Sequence, residues 1–108
     1  MTKRMDIYNK FHGHCAYCGK EISHENMHID HIIPRKKGGR SNISNLNPSC
    51  CSCNTSKGAM DVDEFKLYKM ISASIFKGVI TQSQWKMMAD RGVFINLPTI
   101  EFFFESRG

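Results

Sequence analysis

Nothing in this sequence stays apolar for long. Its apolar runs fall far short of the roughly 20 residues that a bilayer-spanning helix needs, which argues against a membrane partner. No amino-terminal apolar stretch with a cleavage site is visible, so no secretory signal is expected. An even cysteine set is missing as well: there are five, four of them in two CxxC pairs. Extracellular disulfide frameworks more naturally use even numbers. Reduced thiolates in a cytoplasmic protein fit better. Internal repeats, low-complexity tracts and a helix-turn-helix signature are also absent. Sequence-specific recognition would have to come from one small domain, a dimer or another protein. Acids are scarce beside bases, with 10 Asp and Glu against 15 Lys and Arg, a net charge of +5 and a pI of about 9.1. That surplus favours an anionic partner, most often nucleic acid, and a generically basic surface is the plainer alternative.

What is present fits one domain. A chain of 108 residues buries a marginal core, and a metal staple would help it fold. Residues 3–11 read as a short helix, with Met5, Tyr8 and Phe11, or Ile7 and Phe11, at helical spacing. Gly13 ends it. Cys15-Ala16-Tyr17-Cys18-Gly19 follows as a tight metal knuckle whose glycine takes a backbone conformation other residues resist. Residues 27–32 alternate and carry isoleucine, which predicts a strand that Pro34 stops. A basic, glycine-bearing loop runs through Arg35, Lys36, Lys37 and Arg40. A helix is expected from about Cys51 to Gly58. Beyond it, Asp61 with Glu64 and Thr81 with Gln84 look like helix caps. Phe65, Tyr68, Ile71 and Ile75 form an apolar stripe, Trp85 and Met88 follow the second cap, and residues 100–104 read as a short closing strand.

The two CxxC pairs carry the clearest chemistry. Zinc prefers four ligands in a tetrahedron, and paired knuckles deliver two sulfurs each with little strain. Cys15, Cys18, Cys50 and Cys53 meet that need, and a redox CxxC or ordinary buried thiols are the weaker alternatives. An all-thiolate zinc leaves no position for water, so the ion would be structural. Cys51 is the spare and reads as a small, partly buried residue.

Asp30-His31 and Asn45 lie between those pairs, and Asn54 directly follows the second. Asp and Asn oxygens suit a hard cation such as Mg²⁺. Imidazole suits proton transfer, because its ordinary pKa lies near neutrality. Neighbours on a strand point to opposite sides, which is acceptable if Asp30 holds the ion while His31 approaches the substrate from elsewhere. Taken singly these residues are weak signals: an Asn before a helix is more often a cap. His28, two residues before Asp30, is either a support for it or an exposed strand residue.

The ordered set Asp30-His31-Ile32-Ile33-Pro34, Gly38-Gly39, Asn45-Leu46 and Cys50-xx-Cys53-Asn54-xx-Lys57-Gly58 resembles the HNH endonuclease family. The resemblance covers residues 11–58 and implies an α+β fold with a ββα-metal core, flanking helices and a zinc staple at the four cysteines. One HNH nuclease domain would then occupy residues 1–108, with the motif core at about 11–58 and a helical extension at 59–108. By the same resemblance His31 is the general base, and Asp30 and Asn54 hold the catalytic cation. Asn45 hydrogen-bonds backbone or orients His31. The family often has His where this chain has Asn54, which favours Mg²⁺ or Mn²⁺ over tightly held zinc.

Arg35, Lys36, Lys37, Arg40 and Lys57 would grip phosphates, unless they form a merely solvated basic surface. The reading is a metal-dependent endonuclease acting on DNA, double-stranded by expectation, in a bacterial or phage-encoded intracellular setting. A homodimer is implied if both strands are cut. The alternative is a zinc-stabilised nucleic-acid-binding module without catalysis. A zinc adaptor for proteins, using Phe102, Phe103 and Phe104 as an interface, is a weaker third.

Overall fold

A computed structural model describes residues 2–107. Its elements run α1 (Lys3–Asn9), β1 (His28–His31), β2 (Leu46–Ser49), α2 (Cys51–Lys57), α3 (Val62–Ser72), α4 (Gln82–Asp90) and α5 (Phe103–Arg107). The chain divides into two compact units. Residues up to Val62 and those from Glu101 onward form one, and Asp63–Ile100 forms the other. Among the described residues no helix is long and apolar enough to cross a membrane.

The first unit is organised by a two-stranded antiparallel hairpin in which Ile29 faces Pro48, Asp30 faces Asn47 and His31 faces Leu46. Proline is tolerated in β2 because a two-stranded sheet is all edge. The Pro48 carbonyl still accepts from the Ala16 amide at 2.9 Å, which ties the first knuckle to the hairpin. Directly after β2 the chain enters α2, completing the ββα unit.

Helix α1 is fixed at its start by Thr2, whose hydroxyl accepts from the Met5 amide at 3.1 Å. Its Ile7 packs in a small apolar core with Met27 and Leu46. Two cations from the same segment bind loop ends. The Arg4 guanidinium donates to the Met27 carbonyl at 2.8 Å. The Lys10 ammonium donates to the Leu46 carbonyl at 2.8 Å and to Asn47 Oδ1 at 3.2 Å. Burial lowers the Lys10 pKa.

Glycine matters most at two turns. Gly19 closes the first knuckle with φ of +78°, where a side chain would be strained and would strike the Phe103 ring. Gly39 folds the basic loop so tightly that a Cβ there would lie 1.6 Å from the Ile33 carbonyl oxygen.

The carboxy-terminal segment departs from the strand read in its sequence. Residues 103–107 form α5 instead. Its first amides donate to the first knuckle, Phe103 N–H to the Tyr17 carbonyl at 3.0 Å and Phe104 N–H to the Ala16 carbonyl at 2.8 Å. The Glu105 carboxylate accepts from the Phe102 amide at 3.1 Å. An aromatic run suits a strand only where an edge is available to pair it. Here the first amides of the segment are taken up by the knuckle carbonyls, and the chain turns into a short helix.

In the second unit α3 ends at Ser72. The apolar stripe therefore stops short of Ile75, which is 89% exposed, while Phe65, Leu67 and Ile71 are buried. Helix α4 opens with the reciprocal cap expected from Thr81 and Gln84. The Gln84 amide donates to the Thr81 hydroxyl at 3.1 Å, and the Thr81 amide to Gln84 Oε1 at 2.8 Å.

Candidate metal centre and nuclease site

Folding brings Cys15, Cys18, Cys50 and Cys53 together, with all four sulfurs within 4.8 Å of one another. The first two come from the knuckle after α1. Cys50 caps α2, its sulfur accepting from the Cys53 amide at 3.4 Å. A tetrahedral zinc with Zn–S bonds of about 2.3 Å separates its sulfurs by about 3.8 Å, and Cys18 and Cys50 are 3.8 Å apart. The donor chemistry fits the same ion. A hydrogen bond from the Cys53 thiol brings Cys15 well below the ordinary thiol value. That bond pushes Cys53 up, and burial pushes Cys18 up. Four packed thiols resist losing their protons together, and a bound dication removes that conflict. Cys51 lies outside the quartet and is exposed rather than partly buried, because it sits on the outward side of the first turn of α2.

The second constellation meets on one open hollow of about 270 Å³, whose lining includes Asp30, His31, Arg35, Lys36 and Asn54. Adjacent strand residues share it because His31 is the last residue of β1, where the chain bends away into the loop. Asn54 reaches the same hollow from α2. Its backbone is fixed one residue past a cysteine of the quartet, the Asn54 amide donating to the Cys50 carbonyl at 2.9 Å. His28 stays exposed on β1.

Asp30 is only 5% exposed, and donors hold both of its carboxylate oxygens. The Tyr17 hydroxyl donates to Oδ2. The Lys57 ammonium donates to Oδ1 at 3.1 Å and to the His31 carbonyl at 2.9 Å. Burial raises the Asp30 pKa above the usual carboxylate value, against the opposing pull of Tyr17 and Lys57. Each carboxylate oxygen has a second acceptor site, so the group remains chemically suited to a hard cation.

His31 Nε2 lies 3.1 Å from the Ser41 hydroxyl and accepts from Arg35 Nε at 3.3 Å. Asn45 works on the loop beyond His31. Its Oδ1 accepts from the Ile33 amide at 2.9 Å, and its Nδ2 donates to the carbonyls of Arg40 at 2.8 Å and Ile33 at 3.1 Å.

The basic residues do not act alike. Arg35 and Lys36 line the hollow, and Arg40 is exposed nearby in sequence. Lys37 pairs with Asp61 at 3.4 Å on the surface. Lys57, expected to face phosphate, is instead fully buried against Asp30. A buried ammonium already matched to a carboxylate presents no charge to a substrate.

Sequence reasoning therefore missed two groups, Tyr17 and the inward role of Lys57. Spacing gives the side of α2 that Lys57 occupies but not its burial. Lys57 stands three residues after Asn54, on one side of a short helix. Tyr17 carried a subtler signal, since a side chain between two cysteines of the quartet is positioned by them.

Residues 15–60 match the family model for HNH endonuclease. With the ββα core and the cysteine quartet, that match places this segment of the chain in the HNH endonuclease family. The CRISPR-associated endonuclease Cas9 of Corynebacterium diphtheriae is 49% identical over 45 residues, an alignment covering 41% of this chain and 4% of that protein. The crystal structure of the Type II-C Cas9 enzyme from Actinomyces naeslundii is similar with a TM-score of 0.55 and 29% identity, over 60% of this chain and 7% of that one. The chain thus corresponds to a small fraction of the length of these relatives.

Proposed function

We propose that this chain is a metal-dependent endonuclease that hydrolyses phosphodiester bonds in DNA, with the motif core at about 11–58 and a helical extension at 59–108. The observation that carries this reading is the convergence of a carboxylate, an imidazole and a carboxamide, Asp30, His31 and Asn54, on one open hollow with cationic walls. In this reading His31 removes a proton from the attacking water. Asp30 and Asn54 would hold Mg²⁺ or Mn²⁺, ions that favour oxygen donors. When bound, that cation supplies charge stabilisation for the scissile phosphate and the leaving oxygen. Asn45 is a positioning residue that shapes the loop after His31. Arg35 and Lys36 take phosphates, and Arg40 extends that face. The cysteine quartet holds structural zinc. Double-stranded DNA is the proposed substrate, a homodimer the proposed form if both strands are cut, and an intracellular bacterial or phage setting the proposed location.

Nicking of supercoiled plasmid with Mg²⁺ or Mn²⁺ tests this. Loss of a general base typically costs about 10²–10⁴ in rate, so His31→Ala should cut that much more slowly while melting like the parent. Equal cutting by both chains would remove His31 from its role.

One observation favours a second reading, a zinc-stabilised nucleic-acid-binding module without catalysis. The charge of Asp30 already has a resident partner in Lys57. Absence of cutting under every divalent ion, with DNA binding retained, would select it.

A further inference from the structure

Tyr17 sits inside the first CxxC, between Ala16 and Cys18, and its side chain points away from the sulfurs toward the hairpin. It is 3% exposed. Its hydroxyl donates to Asp30 Oδ2, and the Lys57 ammonium holds Oδ1 from another side at 3.1 Å. A carboxylate held by two donors at different oxygens cannot rotate about its last bond without losing one of them. The tyrosine ring is itself braced. Phe102 and Phe104 meet it edge-on, with centroids at 5.2 Å and 5.8 Å and planes at 87° and 85°. The amides of Phe103 and Phe104 fasten α5 to the carbonyls of Tyr17 and Ala16. A continuous run of contacts thus leads from the carboxy-terminal aromatics, through the ring of Tyr17, to one oxygen of Asp30.

On the reading that Asp30 takes the catalytic cation, we propose that Tyr17 is a positioning residue for that carboxylate. Through it, the zinc knuckle and the aromatic segment 102–104 set the affinity of the hollow for a divalent ion. The segment would then serve the site from the far end of the chain rather than as a protein-binding interface. The physical basis is general: ligating carboxylates are oriented by hydrogen bonds of their own, and losing such a partner costs about 10–100-fold in metal affinity or activity. Only the hydroxyl makes the bond. Tyr17→Phe keeps the ring, its packing and the two backbone bonds.

The test is direct Mn²⁺ binding to the full chain, by electron paramagnetic resonance and calorimetry, scaled to the zinc-loaded fraction and read beside plasmid nicking. Tyr17→Phe should retain zinc, bind Mn²⁺ about 10-fold or more weakly, and recover nicking at saturating Mn²⁺ to within about 3-fold of the parent. Ordinary loss of packing would not produce that shift in metal requirement with turnover preserved. Unchanged Mn²⁺ affinity in zinc-loaded Tyr17→Phe would overturn the proposal. Should that variant lose zinc, Phe104→Leu carries the test, because it keeps the hydroxyl and loosens its brace. Weakened Mn²⁺ binding supports the proposal there and unchanged binding overturns it. Asp30→Asn separates this inference from the reading beneath it. If Mn²⁺ binding is indifferent to Asp30, the cation site itself is wrong. If it depends on Asp30 and not on Tyr17, only the positioning role falls.

Discussion

The cysteine corner and the acid–histidine hollow share α2, one beginning at its cap and the other using Asn54 a turn later, yet they are built by opposite rules. Four identical side chains make the corner, and their convergence within 4.8 Å suffices to define it. The hollow combines a carboxylate, an imidazole, a carboxamide and two cations, and what makes it specific is the ring of groups behind them. Tyr17 and Lys57 hold Asp30, Asn45 shapes the loop, and Arg35 and Ser41 meet His31. A site of one chemistry is specified by spacing, whereas a mixed site is specified by what surrounds each of its members. Stability should accordingly be concentrated at the corner and chemistry at the hollow.

The largest effect should come from the corner. Structural zinc in small domains contributes about 10 kcal/mol or more of folding free energy. Cys53→Ser, or a strong chelator on the parent chain, should therefore abolish cooperative thermal unfolding followed by circular dichroism. Cys51→Ser is the matched control. Cys51 is exposed and outside the quartet, so its loss should change stability by no more than about 0.5 kcal/mol. A Cys53→Ser chain that melts like the parent would dissolve the contrast between the two regions.

Next in size is the ion pair behind the hollow. Removing one partner of a buried pair strands the other charge and typically costs about 3–5 kcal/mol. Both side chains are nearly sealed from solvent, at 0% and 6% exposure. Lys57→Met should lose about that much in urea unfolding. Adding Asp30→Asn to it should recover much of the loss, since no bare carboxylate remains. Saturating Mg²⁺ or Mn²⁺ should also narrow the deficit of the single variant, because a dication in the hollow would compensate the same charge. A double variant as unstable as Lys57→Met would show that shape, not charge, is what Lys57 supplies.

These cases mark how far the sequence can be read. The zinc quartet is legible because two CxxC pairs have few other uses, and the hairpin and α2 follow from the order of the motif around them. The reciprocal cap at Thr81 and Gln84 is legible because both of its bonds are local. Burial of Lys57 is not, because lysine is almost never fully buried and only its pairing from α2 with Asp30 on β1 makes it so. The helical turn at 103–107 is hidden for a similar reason. Its amides are satisfied by carbonyls of residues 16 and 17, far away in sequence. Ile75 fails as a core residue because helical periodicity carries no information past the end of the helix, and α3 stops at Ser72.

The smallest effect should sharpen the comparison among cations. Each phosphate contact adds about 0.9 to the slope of log affinity against log salt on duplex DNA. Lys36 lines the hollow, whereas Lys37 is engaged with Asp61 at 3.4 Å. Arg35 also faces the hollow, but it donates to His31 at 3.3 Å, so its removal alters two things at once. Lys36→Ala is therefore the cleaner probe, introduced into a chain already carrying His31→Ala so that DNA is bound and not cut. Its salt slope should fall by about one unit, and the slope of Lys37→Ala should fall by less, because Asp61 already draws on that charge. Titration of fluorescent duplex across a range of NaCl concentrations reads both. Equal slopes for the two variants would mean that the hollow does not select which lysines meet phosphate, and that the basic loop acts on DNA as a diffuse patch of charge.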